Sequence, residues 1–491
     1  MPRYSYERLT ALDHSFLFLE RANAPMHVGS IAIHEMGALR GREGGVDIEL
    51  LRRGIAGVLH RIPRYRQRLA WVPLEGTPVW VDDDGFNLDY HVRHTSLPRP
   101  GDANQLRQLA ARVMAQRLDR ARPLWEMWVV EGLEGDRFAL LSKVHHCMID
   151  GVSGVDLMNV LMSPSQDAEI FEPSPFVPRP APSPFELLRD EILRRARLPF
   201  EAVRDVRKLL REAEDTRREL SVRTRALRET LGGVLARRTP TPLNERVCPH
   251  RRFDWLVMPL DELKAVRRAL GGSLNDVVLT TVAGAVRRFL EHRRFPVEGL
   301  DFRVMAPVSV RAANERGRLG NRVSAWLVPL PLAEPDPAVR LTTIAARTEE
   351  LKQARQAVAA EVLTQAADWT PATLLALGAR NITRQLPFNL VVTNVPGPQL
   401  PLYLFGSRML ESYPVVPLLD GLGLGIALFS YDGKLCWGFN ADWELVPDLD
   451  HFVSCVSEAF DELRRLARRA APGEKRASRR PPKTAPAEPA H

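Results

Sequence analysis

The sequence predicts two α/β domains separated by a proline-rich linker and a charged helical segment. The chain has 491 residues, which is more than one ordinary hydrophobic core organises. Strand and helix patterns alternate over residues 1–163, and they alternate again over residues 250–470. Between these regions, seven prolines fall within residues 164–184 and exclude regular structure there. We therefore expect a first domain at 1–163, a linker and charged helices at 164–249, and a second domain at 250–470.

The elements of the first domain follow from apolar spacing. Apolar residues at helical spacing predict amphipathic helices over residues 47–62 and 103–118. Residues 125–130 and 138–144 are apolar runs typical of strands. A helical pattern at residues 152–161 then closes the region.

In the second domain, strands are predicted at residues 253–258, 302–306 and 324–330, and helices at 273–288 and 451–468. Residues 424–442 read as a hairpin with Asp432-Gly433 as its turn. Residues 471–491 are rich in Pro, Lys and Arg, so we expect a disordered basic tail.

The net charge of +8 does not by itself indicate nucleic-acid binding. Residues 185–238 hold 15 Lys/Arg against 10 Asp/Glu, and residues 471–491 hold 5 against 2, so these two segments carry the whole excess. A solvated arm or an anionic membrane surface explains such segments as well as nucleic acid does. We expect no nucleic-acid partner.

Cellular location is also constrained by composition. No apolar run is long enough to span a bilayer, and the first residues lack the apolar core of a secretory signal. The four cysteines have no CxxC spacing and predict reduced thiols, with no disulfide framework or zinc site. We expect a cytoplasmic protein.

The most informative stretch is VHHCMIDGVSG at residues 144–154, with two adjacent histidines. A neutral histidine can accept a proton near pH 7, so one of the pair is a candidate general base. Adjacent side chains of an extended segment point in opposite directions, so only one can face a substrate. Asp150 can lock the loop by pairing with an Arg or with backbone N–H groups, and Gly151 permits a sharp turn into the next helix.

The same stretch admits other interpretations. A metal site is disfavoured because adjacent histidines seldom converge on one ion. Cys147 as a nucleophile would need a histidine facing it. Gly151-Val152-Ser153 begins a serine-hydrolase elbow, but residue 155 is Val. A purely structural pair of buried histidines at a helix start remains an alternative.

Further motifs show a family resemblance. The H-H-x-x-x-D-G pattern from His145 to Gly151 is the hallmark of the CoA-dependent acyltransferase superfamily. The chain resembles, within it, the bacterial wax ester synthase/diacylglycerol acyltransferase family. The matching stretches are LD at 12–13 with PMHVG at 25–29, PLWE at 123–126, SLNDV at 273–277, PVSVR at 307–311, LGNR at 319–322 and TNVPGP at 393–398.

The resemblance implies the fold and the roles of the motif residues. The fold would be two similar chloramphenicol-acetyltransferase-like α/β domains with mixed sheets and an active-site tunnel at their interface. His146 would be the general base, and His145 and Asp150 would orient the loop. Attack on acyl-CoA would be direct, with no cofactor, no metal and no acyl-enzyme.

Substrate contacts are expected outside the histidine motif. Asn275 and Asp276 match the family's N-D element. Ser273 to Asp276 is also a capping box, so a purely structural role of Asp276 as a helix cap is an alternative. Thr393 and Asn394 can line the tunnel or donate to the oxyanion. Arg311 is a candidate partner of Asp150 or of a CoA phosphate.

The sequence thus predicts an O-acyltransferase that uses long-chain acyl-CoA and esterifies diacylglycerol, a long-chain alcohol, or both. The basic helices of residues 185–238 could hold it at the inner face of a membrane or at lipid bodies. The alternatives are a condensation-domain-like enzyme using carrier-bound thioesters, and a non-catalytic lipid-binding homologue.

Overall fold

The structure is a computed structural model that describes residues 4–148, 160–167, 170–196, 238–309, 323–356 and 386–470. Its strands are β1 (Glu7–Arg8), β2 (His27–Glu35), β3 (Gln67–Trp71), β4 (Pro78–Asp82), β5 (Val92–Ser96), β6 (Trp125–Leu133), β7 (Arg137–His145), β8 (Met162–Ser163), β9 (Arg251–Pro259), β10 (Phe302–Ser309), β11 (Val323–Leu330), β12 (Leu390–Pro396), β13 (Tyr403–Leu404), β14 (Ser407–Val415), β15 (Leu424–Tyr431) and β16 (Lys434–Asp442). Its helices are α1 (Ala11–Leu19), α2 (Ile48–Val58), α3 (Leu88–His91), α4 (Ala103–Ala115), α5 (residues 184–196), α6 (Leu260–Leu270), α7 (Leu274–His292), α8 (Pro337–Gln356) and α9 (Leu449–Ala470).

Two large mixed sheets organise these elements. One has seven strands in the order β5-β6-β7-β2-β14-β13-β8, and the other has six in the order β11-β10-β12-β15-β16-β9. The first is antiparallel except where β5 runs parallel to β6, and in the second β10, β12 and β15 run parallel. A fold of two mixed-sheet α/β regions is therefore confirmed.

Sheet membership does not follow the order of the chain. Strands β13 and β14 lie in the C-terminal half of the sequence, yet β14 pairs with β2 along most of its length. Strand β13 in turn pairs with the short β8 that precedes the linker. The C-terminal half thus supplies two strands to the N-terminal sheet, an exchange that the predicted boundaries at 163 and 250 do not include.

The interior consists of several apolar clusters. Helices α7 and α9 pack together over the six-stranded sheet. Phe289 of α7, Phe452 of α9 and Trp437 of β16 belong to one buried apolar cluster. A separate cluster joins the two sheets, because it contains Ile31 of β2 and Tyr413 of β14 together with Phe253 of β9 and Cys436 of β16. The two halves therefore share buried surface.

Local sequence signals explain several element boundaries. Asp102 and Gln105 form a capping box at the start of α4, and Ser273 and Asp276 form another at the start of α7. The predicted hairpin is confirmed as β15 and β16, with Asp432 at φ 43° and Gly433 at φ 75°, the positive values a tight hairpin turn requires.

The region between the two predicted domains is described only in part. The linker has no helix or strand over residues 170–183, and α5 begins at residue 184. The remainder of the predicted charged helices lies outside the described residues, as do residues 152–159 and the basic tail. Helices α6 and α8, and strands β2 and β14, were not predicted.

In the described part of the chain, no single helix is both long enough and apolar enough to cross a bilayer. The α6–α7 pair, bent by 96°, reaches that length and composition only when its two helices are taken together.

Candidate active site

The histidine pair lies where β7 ends. His145 is the last residue of that strand, and His146 begins a 3₁₀ turn that runs to Met148. The His145 N–H donates to the Leu124 carbonyl at 2.9 Å, and the His146 N–H donates to the Met26 carbonyl at 2.8 Å. Backbone hydrogen bonds therefore tie the pair to two neighbouring segments. Asp150, Gly151 and Arg311 lie outside the described residues, and their predicted roles stay predictions.

The His146 ring packs face to face against Phe16. The ring centroids are 3.8 Å apart and the planes are inclined by 20°. Burial lowers the pKa of His146 to about 4. The imidazole is therefore neutral at pH 7 and carries a lone pair that can accept a proton, which is the state a general base needs.

His145 makes different contacts. Its Nδ1 accepts a hydrogen bond from the Cys147 N–H at 3.2 Å, and its Nε2 lies 3.6 Å from Oε1 of Glu20. Both side chains are almost completely buried, at 1% exposed each. The two histidines thus have separate surroundings, with His146 against an aromatic ring and His145 beside a carboxylate.

Glu20 is a site residue that sequence reasoning did not identify. It follows α1, and its carboxylate accepts hydrogen bonds from Arg120 at 2.7 Å and Arg117 at 3.2 Å. Burial alone would raise the pKa of Glu20, but interactions with His145 and Arg120 outweigh it and hold the pKa well below its usual range. The available sequence signal is the helical spacing of Asp13, Phe16 and Glu20, which places an acid at the end of an apolar helix.

Cys147 does not have the environment of a nucleophile. Its side chain is 3% exposed, and burial raises the pKa of the thiol well above its ordinary value. The thiol therefore stays protonated near neutral pH, whereas the thiolate is the reactive form.

Neighbouring histidines are also neutral. His27 pairs across β2 and β7 with His145 in register, and burial lowers its pKa to about 3. Burial likewise lowers the pKa of His14 on α1 to about 4. Among the described residues, the positive charges near the pair are the arginines on Glu20 and the buried Lys143.

Asp276 has both carboxylate oxygens engaged within the protein. Oδ2 accepts from the Ser273 N–H at 2.7 Å, and Oδ1 accepts from the Thr348 hydroxyl at 2.7 Å. The capping role of Asp276 is thus present, together with a link from α7 to α8. Asn275 is half-buried in the first turn of α7. Substrate contact by either residue stays a prediction.

Thr393 and Asn394 lie on β12 and are half-buried. They pair in register with Ala427 and Leu428 of β15. Phe429, the next residue of β15, belongs to the same apolar cluster as Cys147 beside the histidine pair. One continuous apolar cluster therefore reaches from the histidine turn to the strand next to Thr393 and Asn394.

Comparison with known protein families gives two matches. The model described as the wax ester synthase/diacylglycerol acyltransferase catalytic domain matches residues 9–278. The model described as the WS/DGAT C-terminal domain matches residues 319–464. Together they cover the strands of both large sheets except β10.

Curated relatives match over nearly the whole chain. A probable diacylglycerol O-acyltransferase of Mycobacterium tuberculosis is 32% identical, with 94% of this chain and 96% of the relative covered. A second probable diacylglycerol O-acyltransferase of that organism is 34% identical, with 92% and 97% covered.

Solved structures show the same fold. The wax ester synthase/diacylglycerol acyltransferase of Marinobacter aquaeolei VT8 superimposes with a TM-score of 0.64 at 25% identity, covering 94% of this chain and 99% of that one. The first condensation domain of the calcium-dependent antibiotic synthetase superimposes with a TM-score of 0.59 at 17% identity, covering 94% and 96%. The latter likeness concerns the fold alone.

Proposed function

The chain belongs to the wax ester synthase/diacylglycerol acyltransferase family and is an acyltransferase, and we propose that it moves a long-chain acyl group from acyl-CoA to an alcohol with His146 as general base. The acceptor in this proposal is the hydroxyl of diacylglycerol, a long-chain alcohol, or both. One observation supports the choice of base. Of the two adjacent histidines, His146 is the half-buried one, whereas the His145 side chain is 1% exposed and its Nδ1 already accepts the Cys147 N–H. His146 is also neutral at pH 7, because burial lowers its pKa to about 4.

In the proposed reaction the acceptor O–H donates to a ring nitrogen of His146. As the oxygen attacks the thioester carbonyl carbon, its proton passes to the imidazole, and a tetrahedral oxyanion forms. Collapse breaks the C–S bond and releases the ester, and the imidazolium protonates the CoA thiolate. Base catalysis of this kind contributes roughly 10²–10⁴-fold, and the joint positioning of the two substrates adds to it.

The remaining residues support this chemistry in the proposal. Asn275, Thr393 and Asn394 are proposed to contact substrate or the oxyanion, with Asp150 orienting the loop. Direct attack is favoured over an acyl-enzyme because the Cys147 thiol is buried and protonated. The reaction as proposed needs no cofactor beyond acyl-CoA as co-substrate.

The acceptor is proposed from the relatives. Those from Mycobacterium tuberculosis are named diacylglycerol O-acyltransferases, which favours triacylglycerol as a product. The solved relative from Marinobacter aquaeolei is named for both wax ester synthase and diacylglycerol acyltransferase, so a long-chain alcohol is kept as a second acceptor.

The experiment that tests the proposal is thiol release from palmitoyl-CoA with diacylglycerol, with hexadecanol and without acceptor. His146→Ala is assayed alongside the unaltered chain. We expect release to require an acceptor, to yield ester and to collapse in the variant. Release without acceptor would indicate a thioesterase, and no release would favour a carrier-bound donor or a binding role.

We also propose that the protein works on the cytoplasmic side, at the surface of a membrane or lipid body. Support comes from α5, where Phe185 is 73% exposed and Ile192 60% exposed on the outward side of the helix. Arg189 and Arg195 on the same helix are half exposed but pair with Asp190 and Glu75, so the exposed apolar side chains are what support the proposal.

This association is tested by flotation with vesicles containing anionic lipid at low salt. Phe185→Ser with Ile192→Ser should weaken binding, whereas Val339→Ser, which changes an exposed apolar residue on α8, should not. A protein that stays free of the vesicles would exclude the proposed association.

A further inference from the structure

We propose that helix α1 and the Glu20 that follows it position both histidines, with Glu20 holding His145 in the tautomer that fixes the turn carrying His146. The inference rests on the proposed function, because it assigns a positioning role around the proposed base. Phe16 and Glu20 are far in sequence from the two histidines, and the fold alone brings these two parts of the chain together.

The tautomer of His145 follows from one hydrogen bond. The Cys147 N–H donates to Nδ1 of His145, so Nδ1 must carry a lone pair and no proton. In a neutral ring the proton is then on Nε2, which is the nitrogen 3.6 Å from the Glu20 carboxylate. A negative charge at that place favours the Nε2–H form over the Nδ1–H form.

That tautomer has a structural consequence for the base. The accepted N–H belongs to Cys147, the middle residue of the 3₁₀ turn that His146 begins. If the proton moved to Nδ1, the Cys147 N–H would lose its acceptor inside a buried site, and the turn would lose one of its anchors. Glu20 therefore acts on His146 through His145 and the backbone of Cys147.

Glu20 is itself held rigidly. Arg120 donates to its Oε2 from both Nε and Nη2, at 3.1 and 2.7 Å, and Arg117 adds a third contact at 3.2 Å. The Met26 N–H donates to Oε1 at 3.3 Å. Met26 is also the residue whose carbonyl accepts the His146 N–H, so the carboxylate and the base share a backbone anchor.

The same helix also contacts the base directly. Phe16 lies one turn before Glu20, and its carbonyl accepts the Glu20 N–H at 3.1 Å. Its ring covers one face of His146. One helix end thus sets the ring plane of His146 through Phe16 and the turn geometry through Glu20.

The chain offers a matched control in Glu191 on α5. Its side chain is 1% exposed, as is that of Glu20, and it also pairs with arginines, namely Arg8, Arg194 and Arg195. It lies against β1 and the β3–β4 hairpin, and no contact links it to the histidine pair. Glu191→Gln therefore reproduces the loss of a buried, arginine-paired carboxylate without touching His145.

The test compares kcat and KM for palmitoyl-CoA in the full chain and in Glu20→Gln, Glu20→Asp, Glu191→Gln and His146→Ala, with thermal melting of each. We expect Glu20→Gln to lower kcat about 10- to 100-fold, the usual range for a partner that orients a working group, with KM nearly unchanged. Glu20→Asp keeps the charge and should retain more kcat than Glu20→Gln. Glu191→Gln should keep its kcat even where its melting temperature falls.

The outcomes separate this inference from the proposed function. Equal kcat in Glu20→Gln and Glu191→Gln, with His146→Ala inactive, would overturn the positioning role and leave the proposed function standing. Full activity in His146→Ala would overturn the proposed base and the positioning role together. Should Glu20→Gln fail to fold, Glu20→Asp is compared with Glu191→Asp, and a kcat loss of the same size in both would overturn the inference.

Discussion

Acid should destabilise this protein through its buried neutral histidines, and His34 provides the sharpest test. His34 lies on β2 with no exposed surface, and its ring stacks on that of Phe138 with the centroids 5.1 Å apart. Neither ring nitrogen has a well-formed hydrogen bond to a described residue. Burial lowers its pKa to about 4, an effect only partly offset by the backbone of Ser407. The group therefore resists protonation in the folded chain.

The sign and size follow from linkage. Between pH 6.5 and 4 the unfolded chain binds a proton on this histidine that the folded chain does not, so stability is present above the ordinary pKa and is lost as pH falls. With an ordinary pKa of about 6.5, lowering the pH to 5 costs about 2 kcal/mol for His34. Burial also lowers the pKa of four further histidines to about 3 or 4, namely His14, His27, His91 and His146. Their losses of folding stability at acid pH add to that of His34.

The assay is denaturant unfolding at pH 7 and pH 5 for the unaltered chain and for His34→Leu. The variant should lose about 2 kcal/mol less between the two pH values. At pH 7 the variant should unfold with nearly the same free energy, because neither ring nitrogen makes a well-formed hydrogen bond to a described residue. His60→Leu, which removes an exposed histidine, is measured alongside as the control. An unaltered pH 7 to pH 5 difference in His34→Leu would refute the reasoning.

Three further predictions concern the site. Phe16→Leu should admit water to His146 and so raise the pKa of His146 from about 4 toward its ordinary value. The kcat/KM of the variant should then begin to fall between pH 7 and 6, where that of the unaltered chain stays constant. Identical pH profiles of kcat/KM in the two proteins would contradict this. Cys147→Ser should keep acceptor-dependent ester formation within severalfold, and complete loss would reopen the nucleophile interpretation. Asp276→Asn should lower stability by about 1–3 kcal/mol, through weakening of the helix cap and of the Thr348 hydrogen bond. Unfolding by denaturant measures that loss, and a raised KM for acyl-CoA with unchanged stability would instead indicate substrate contact.

Several features of this protein were determined by the sequence itself, because their physical causes are local. Asp432-Gly433 makes a hairpin turn because Asp and Gly tolerate the positive φ values that a tight hairpin turn requires. Ser273 starts α7 because its side chain caps the residue three positions later. The prolines between residues 173 and 182 exclude helix and strand there, because proline lacks a backbone N–H and fixes φ. The family resemblance also depended only on motifs and their order along the chain.

Only the tertiary structure decided how His146, the proposed base, is held and which strands build the sheet that carries it. Pairing of β14 with β2 joins residues from opposite halves of the chain, and no turn signal encodes it. The pKa of His146 depends on burial against Phe16, and the tautomer of His145 depends on Glu20, a residue held by Arg117 and Arg120. Charge and burial act through space, so a carboxylate remote in sequence can govern a histidine once the chain folds around both.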